Sequence, residues 1–214
     1  RFTILASPGL VDVVLADGGS GSQALQDHAD RVVTELGDIV YGRGAETLAK
    51  IVLARARVAH LRLATAESCT GGLVAAALTS VPGSSDVFRG AVVGYANAVK
   101  TALLDVPPGE IDVHGAVSKR TAEAMAAGAR ARVGADVAVS TTGIAGPAGG
   151  SNDKPVGTVF VGIATSAGTD ARKFHFIGDR DAVRLRATYA ALDMLRRAIG
   201  HHHATGDGEG CVPS

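Results

Sequence analysis

Apolar positions along the chain change their period several times, and each change marks a predicted element. Leu10–Ala16 is rich in Val and Leu and predicts a strand, and Asp17–Ser22 is a polar, glycine-rich loop. Gln23–Leu36 carries helical spacing through Leu25, Ala29, Val32, Val33 and Leu36. Residues 1–41 therefore read as a small α+β appendage, too small to stand alone. From Gly42 the alternation becomes regular. Glu46–Val58 predicts an amphipathic helix, Leu61–Ala66 a short strand, and Thr70 to Leu78 an Ala-rich helix closed by Val81-Pro82-Gly83-Ser84. Phe88–Tyr95 follows as a strand and Ala98–Leu104 as a short helix, with Pro107-Pro108-Gly109 as a hard stop. Ser118 is a good N-cap for a helix running to Val133. Val137–Thr142, Gly157–Thr165 and Arg172–Ile177 read as strands, and Asp181–Ile199 as a long terminal helix. Strands alternating with helices argue an α/β class, here a layered α/β/α domain over residues 42–200. The last two strands have no helix between them, which predicts an antiparallel hairpin and hence a mixed sheet. Residues 201–214 are polar and small and read as a disordered tail.

Composition narrows the functions. A 46% hydrophobic content can bury a sizeable core. Lys+Arg 21 against Asp+Glu 21 leaves no net charge, which removes the generic electrostatic case for nucleic acid or an anionic membrane. Aromatics are 4%, so stacking platforms for single strands are scarce. No uncharged apolar run approaches the roughly 20 residues of a membrane helix, and no signal-peptide pattern opens the chain. Cys69 and Cys211 cannot build a disulfide framework, so a reducing, cytoplasmic compartment is the default. The chain begins at Arg1 without Met, which reads as a fragment of something longer.

Chemistry concentrates in four places. In Thr65-Ala66-Glu67-Ser68-Cys69-Thr70-Gly71-Gly72 a buried strand ends and a helix begins, placing Ser68 near a helix N-terminus whose N–H groups suit an oxyanion or a phosphate. Ser68 or Thr70 serves equally well as a mere cap. Cys69 competes as nucleophile, although a small thiol at such a place is more often packing. Tyr95 closes a strand and Lys100 lies five residues on. No Ser-His-Asp set is evident, and a desolvated lysine can deprotonate a hydroxyl in its place; a solvated surface pair is the plainer alternative. Ser140-Thr141-Thr142-Gly143 flows into the Gly146–Gly150 loop and Lys154-Pro155-Val156-Gly157, an anion cradle or simply a flexible loop. It has neither Walker nor dinucleotide spacing, which removes most of the case for ATP or NAD. Ser151-Asn152-Asp153-Lys154 matches Ser-x-x-Lys but falls inside the loop, so it is discounted. Last, Arg180 and Arg184 share one face at the start of the terminal helix, as a phosphate clamp or a solvated face. His201-His202-His203 cannot all converge on one ion, and no ligand cluster with metal spacing is present.

Glu67-Ser68-Cys69-Thr70-Gly71-Gly72, Gly94-Tyr95-Ala96-Asn97 with Lys100, His114-Gly115-Ala116-Val117-Ser118, and Thr142-Gly143-Ile144-Ala145-Gly146-Pro147 with Gly149-Gly150 and Lys154-Pro155-Val156-Gly157-Thr158 together closely resemble the C-terminal domain of the CinA (competence/damage-inducible protein A) family, over about residues 42–200. The resemblance implies a nicotinamide mononucleotide (NMN) amidohydrolase of pyridine nucleotide salvage. Residues 1–41 then resemble the tail of the linker domain that precedes it in longer members, whose nucleotide-pyrophosphatase domain has no counterpart here. Ala98 stands where the family commonly has an acidic residue. On this reading Ser68 is the nucleophile, Lys100 the general base, and Tyr95 relays or orients the proton. Thr142 and N–H groups at Thr70, Gly71 or Gly143 face the oxyanion, one such donor being worth about 3 kcal/mol of barrier. Substrate-binding residues are expected at Glu67, Thr70, Gly71, Gly72, Thr141, Gly143, Gly146, Gly149 and Arg180. No metal or cofactor is required, and a homo-oligomer is expected. The alternatives are an amidase for another carboxamide and a non-catalytic nucleotide-binding or assembly module linked to competence.

Overall fold

Two of the most apolar runs become adjacent inner strands of the main sheet. In the computed structural model, which describes residues 1–19 and 21–206 and side chains through residue 200, these are β3 (Leu63–Glu67) and β5 (Val137–Gly143), paired in parallel. β4 (Phe88–Val93) lies parallel to β3 on its other side. β6 (Thr158–Thr165) and β7 (Gly168–His175) continue the sheet antiparallel, giving the order β4-β3-β5-β6-β7. The mixed sheet and its terminal hairpin match expectation.

Period-2 alternation on β5 sorts the two faces. Val137 and Val139 pack against α2 (Leu48–Val58), α3 (Leu73–Thr79) and α7 (Arg180–Gly206). Ala138 joins the opposite cluster beneath α6 (Lys119–Val133), with α4 (Asn97–Leu104) and α5 (Pro108–His114) alongside. Thr47 caps α2 by accepting from Lys50, and Ser118 caps α6 by accepting from Thr121. The sheet is thus covered on both faces, as a largely parallel β3-β5 centre requires.

Several boundaries differ from the sequence reading. β1 (Phe2–Ser7), unpredicted, pairs antiparallel with β2 (Leu10–Leu15) in a separate sheet, followed by α1 (Ser22–Leu36). The turn at Gly9 rests on Tyr189, and Arg196 donates to the Asp38 carbonyl, so this segment leans on α7. Pro107-Pro108-Gly109 does not stop the chain; it starts α5, because proline at the first helical turn loses no hydrogen bond. β7 begins at Gly168 and ends at His175, not at Arg172–Ile177. Its leading residues are exposed and polar, as befits an edge strand, and so carry no apolar signal. α7 continues past Ile199 to Gly206, where a tail had been expected from residue 201; no proline interrupts it. The rest of that expected tail, 207–214, lies outside the described residues.

One close approach positions α4. At Gly128 of α6, a Cβ would lie 1.9 Å from the carbonyl oxygen of Leu104, the last residue of α4. Only glycine lets the two backbones meet there. Gly128→Ala should destabilise the protein by about 2–3 kcal/mol, as overpacking generally does, lowering Tm by about 5–10 °C in a thermal melt.

Candidate active site

In open sheets of this kind, the carboxyl ends of parallel strands open onto a crevice. Here the ends of β3, β4 and β5 converge, tied by Ser68 N–H donating to Thr141 O (2.9 Å) and Gly94 N–H donating to Glu67 O (2.8 Å). After β3 the chain does not enter its helix at Thr70. Gly71 and Gly72 take positive φ (63° and 101°), so a tight turn carries Ser68, Cys69 and Thr70 before α3 starts at Leu73.

That turn corrects the expected anion cradle. Glu67 is wholly buried and accepts five hydrogen bonds: from the Thr65 and Thr70 hydroxyls and from the N–H groups of Gly72, Val74 and Ala75. The start of α3 already holds an anion, the protein's own carboxylate. The Gly71 N–H is likewise taken, by Ser68 O. Thr70 and Thr141 are buried and hydrogen-bonded to each other (2.7 Å). Glu67, Thr70, Gly72 and Thr141 are therefore engaged with one another in shaping the turn.

The Cys69 thiol, 6% exposed, is pushed up to about 12 by burial, so at neutral pH it stays protonated and is a poor nucleophile. Ser68, beside it, makes no side-chain hydrogen bond among the described residues, and its hydroxyl faces a pocket.

Lys100 is the unusual group. It lies on α4 at 2% exposure and donates from Nζ to the Tyr95 carbonyl (3.1 Å). Gly94 makes room for it, since a Cβ there would sit 3.3 Å from Lys100 Cγ. Burial holds its ammonium below the ordinary lysine range, with the nearby Cys69 opposing. Tyr95 differs from expectation: its phenol, on an exposed side chain, accepts from Arg180 Nη2 (2.9 Å), and the link to Lys100 runs through its carbonyl. A proton relay from the Tyr95 hydroxyl to Lys100 is not the arrangement found.

On the third wall, Thr142 donates its hydroxyl to Ala116 O (2.7 Å) and Gly143 follows it. Arg180 donates from Nη1 to Gly146 O (2.7 Å), tying the glycine loop to Tyr95. Gly146 thus offers its carbonyl to a guanidinium, and Gly149 lies exposed outside the pocket. Arg184 turns away from Arg180, donating to Thr70 O (3.1 Å), so the two arginines do not make a common clamp.

Ser68, Tyr95, Lys100, Thr142, Gly143 and Arg180 line one pocket of about 230 Å³, and of the expected site residues Glu67, Thr70, Gly71, Gly72, Thr141, Gly146 and Gly149 do not. Asn97, Ala116 and Val117 also line it; they belong to the motifs that carry the resemblance but are not among the expected site residues. Asn97 was legible in one respect: it precedes Lys100 by three residues, hence on the same helix face. Chemically the pocket joins a free hydroxyl to a desolvated amine, the elements of acyl transfer. Among the described residues no His/Cys/Asp/Glu group could hold a metal ion, and no helix is long and apolar enough to cross a membrane.

The CinA C-terminal domain model matches residues 45–199. A CinA-like protein of Geobacter metallireducens is 47% identical over 186 residues, covering 87% of this chain and 45% of the relative. One from Koribacter versatilis is 42% identical over 201 residues, covering 92% and 49%. The chain thus spans about half the length of the curated relatives it matches. Among solved structures, the competence/damage inducible protein CihA of Agrobacterium tumefaciens is 41% identical with a TM-score of 0.69, covering 72% of this chain and 93% of that one. The competence damage-inducible protein A (ComA) of Klebsiella pneumoniae is 36% identical with a TM-score of 0.68, covering 72% and 96%.

Proposed function

We propose that this chain, which belongs to the CinA C-terminal domain family, is an amidohydrolase that converts NMN to nicotinate mononucleotide and ammonia. The observation that carries the reading is the pairing in one pocket of an unbonded serine hydroxyl with a buried lysine whose proton affinity is lowered. A carboxamide is a weak electrophile, and the cationic pyridinium of NMN strengthens it by withdrawing electrons. Lys100, neutral, takes the Ser68 proton as Oγ bonds to the amide carbon. The carbonyl π electrons move onto oxygen. Their return breaks the C–N bond, and the Lys100 ammonium gives its proton to the departing nitrogen, which leaves as ammonia. Water then adds to the Ser68 ester, giving up its proton to Lys100. When that intermediate collapses, Lys100 returns its proton to Ser68, and the acid formed departs as the carboxylate after losing the second water proton to solvent. The Cys69 thiol beside Ser68 is protonated and takes no part. Thr142 spends its proton on Ala116 and so presents lone pairs to the pocket, suited to the substrate's amide N–H rather than to an oxyanion. Arg180 at the pocket wall is the cation available for the 5′-phosphate, at the cost of its bond to Tyr95.

The test is ammonia release from NMN by the purified chain, with other carboxamides as controls. Release from those and not from NMN would establish a different amidase, and binding without release an assembly module. The pH profile checks the base. Burial disfavours the ammonium, so Lys100 loses its proton at a lower pH than a solvated lysine, and the deprotonated form is the active one. kcat/KM should therefore rise with pH along a limb whose midpoint lies below about 10.4, the ordinary lysine value. A profile flat from pH 6 to 10 would exclude Lys100 as the base.

A further inference from the structure

An acyl-transfer pocket needs hydrogen-bond donors where negative charge develops, and most side-chain donors in this one are already engaged. The Thr142 hydroxyl is donated to Ala116 O. Arg180 donates to Gly146 O and to Tyr95 Oη. Of the N–H groups expected to face the oxyanion, that of Gly71 is taken by Ser68 O, and that of Thr70 has no backbone acceptor among the described residues. Lys100 is occupied with the proton traffic. The remaining polar side chain on the pocket wall is Asn97, which makes no side-chain hydrogen bond among the described residues.

Asn97 lines the pocket while remaining exposed to solvent. Asparagine favours the N-cap, where its side chain satisfies a free N–H. Here the N-cap of α4 is Ala96, with no side-chain cap bond, and Asn97 is the first helical residue. It stands one turn before Lys100 on the same face, and both residues line the pocket.

We infer that Asn97 is a catalytic residue of this pocket, donating from Nδ2 to the oxyanion formed when the Ser68 hydroxyl adds to the substrate carboxamide. The inference rests on the amidohydrolase reading above. The bond is made fully only once the carbonyl carbon is tetrahedral and its oxygen carries charge, so Asn97 acts on kcat more than on KM.

The experiment compares wild type, Asn97→Leu and Asn97→Ser in steady-state ammonia release from NMN, with thermal melts to confirm folding. Asn97→Leu keeps the side chain's shape and removes the donor. It should lower kcat by about 10²–10³-fold, the effect typical of losing one such donor, with KM within threefold. Asn97→Ser restores an O–H donor and should recover at least about tenfold over Asn97→Leu. A kcat within threefold of wild type in Asn97→Leu, a rise in KM at unchanged kcat, or equal rates in the two variants would each overturn the assignment while leaving the amidohydrolase reading intact. If wild type releases no ammonia from NMN, that reading falls and this inference falls with it.

Discussion

Ser68→Ala and Lys100→Met should each reduce ammonia release from NMN by at least about 10³-fold, and the double variant should be hardly slower than either single one. Nucleophile and base act as a unit, so removing one strands the other, and their losses do not add. Alanine has no oxygen to acylate. Methionine matches the lysine stem in length and cannot accept a proton. Neither change should unfold the protein. Ser68 makes no side-chain hydrogen bond among the described residues. Lys100 contributes a single one, to the Tyr95 carbonyl, in exchange for keeping an amine at 2% exposure. A buried amine without a countercharge adds little stability, so Lys100→Met should hold its Tm within a few degrees of wild type. Lys100→Arg is a stringent companion, because a guanidinium keeps the positive charge and does not deprotonate at working pH. If Ser68→Ala retained more than a tenth of wild-type turnover, another group would be the nucleophile. Cys69 would be a poor substitute, since its thiol stays protonated up to about 12.

How far the chain announces this site depends on which physical signal each residue carries. Ser68 and Thr142 sit where apolar runs end and polar, glycine-rich turns begin, and Lys100 is the one charged residue of the short helix α4; both signals are visible without coordinates. Core strands β3 and β5 were legible for the same reason. Edges were not. β7 alternates exposed polar residues around Ala171 and so carries no apolar period, whereas β1 is an apolar run that is exposed along its whole length and pairs only with β2. Direction was also hidden. Tyr95 and Lys100 are close in sequence, but whether the lysine meets the phenol or the carbonyl depends on the helical turn between them, and it meets the carbonyl. Arg180 and Arg184 share a helix face and still diverge, one to Gly146 and Tyr95, the other to Thr70, because long side chains choose among partners that the sequence does not position.

Glu67 shows most clearly how pattern and packing separate. An acidic residue beside Ser68, ahead of two glycines, reads as a group that could meet substrate; inside the fold it replaces the anion that the start of α3 would otherwise bind. Its two carboxylate oxygens gather three backbone N–H groups and two hydroxyls at 2.7–3.3 Å, with no exposure. Glu67→Ala leaves all five donors facing a dry cavity, where each unpaired polar group costs about 1–3 kcal/mol before relaxation. A net loss of about 3–5 kcal/mol in urea unfolding is therefore expected. Glu67→Gln tests the same arrangement more finely. Its oxygen can keep the Oε2 partners Thr70, Gly72 and Val74, but its NH2 then faces the Ala75 N–H, donor against donor. With the charge at the helix start also gone, about 2–3 kcal/mol should be lost. In both variants the Ser68 turn loosens, so kcat for NMN should fall even at temperatures where the fold persists, with KM less affected. A Glu67→Ala protein within about 1 kcal/mol of wild type would mean that water replaces the carboxylate cheaply. The turn carrying Ser68 would then be held by Gly71, Gly72 and the Thr70–Thr141 pair alone.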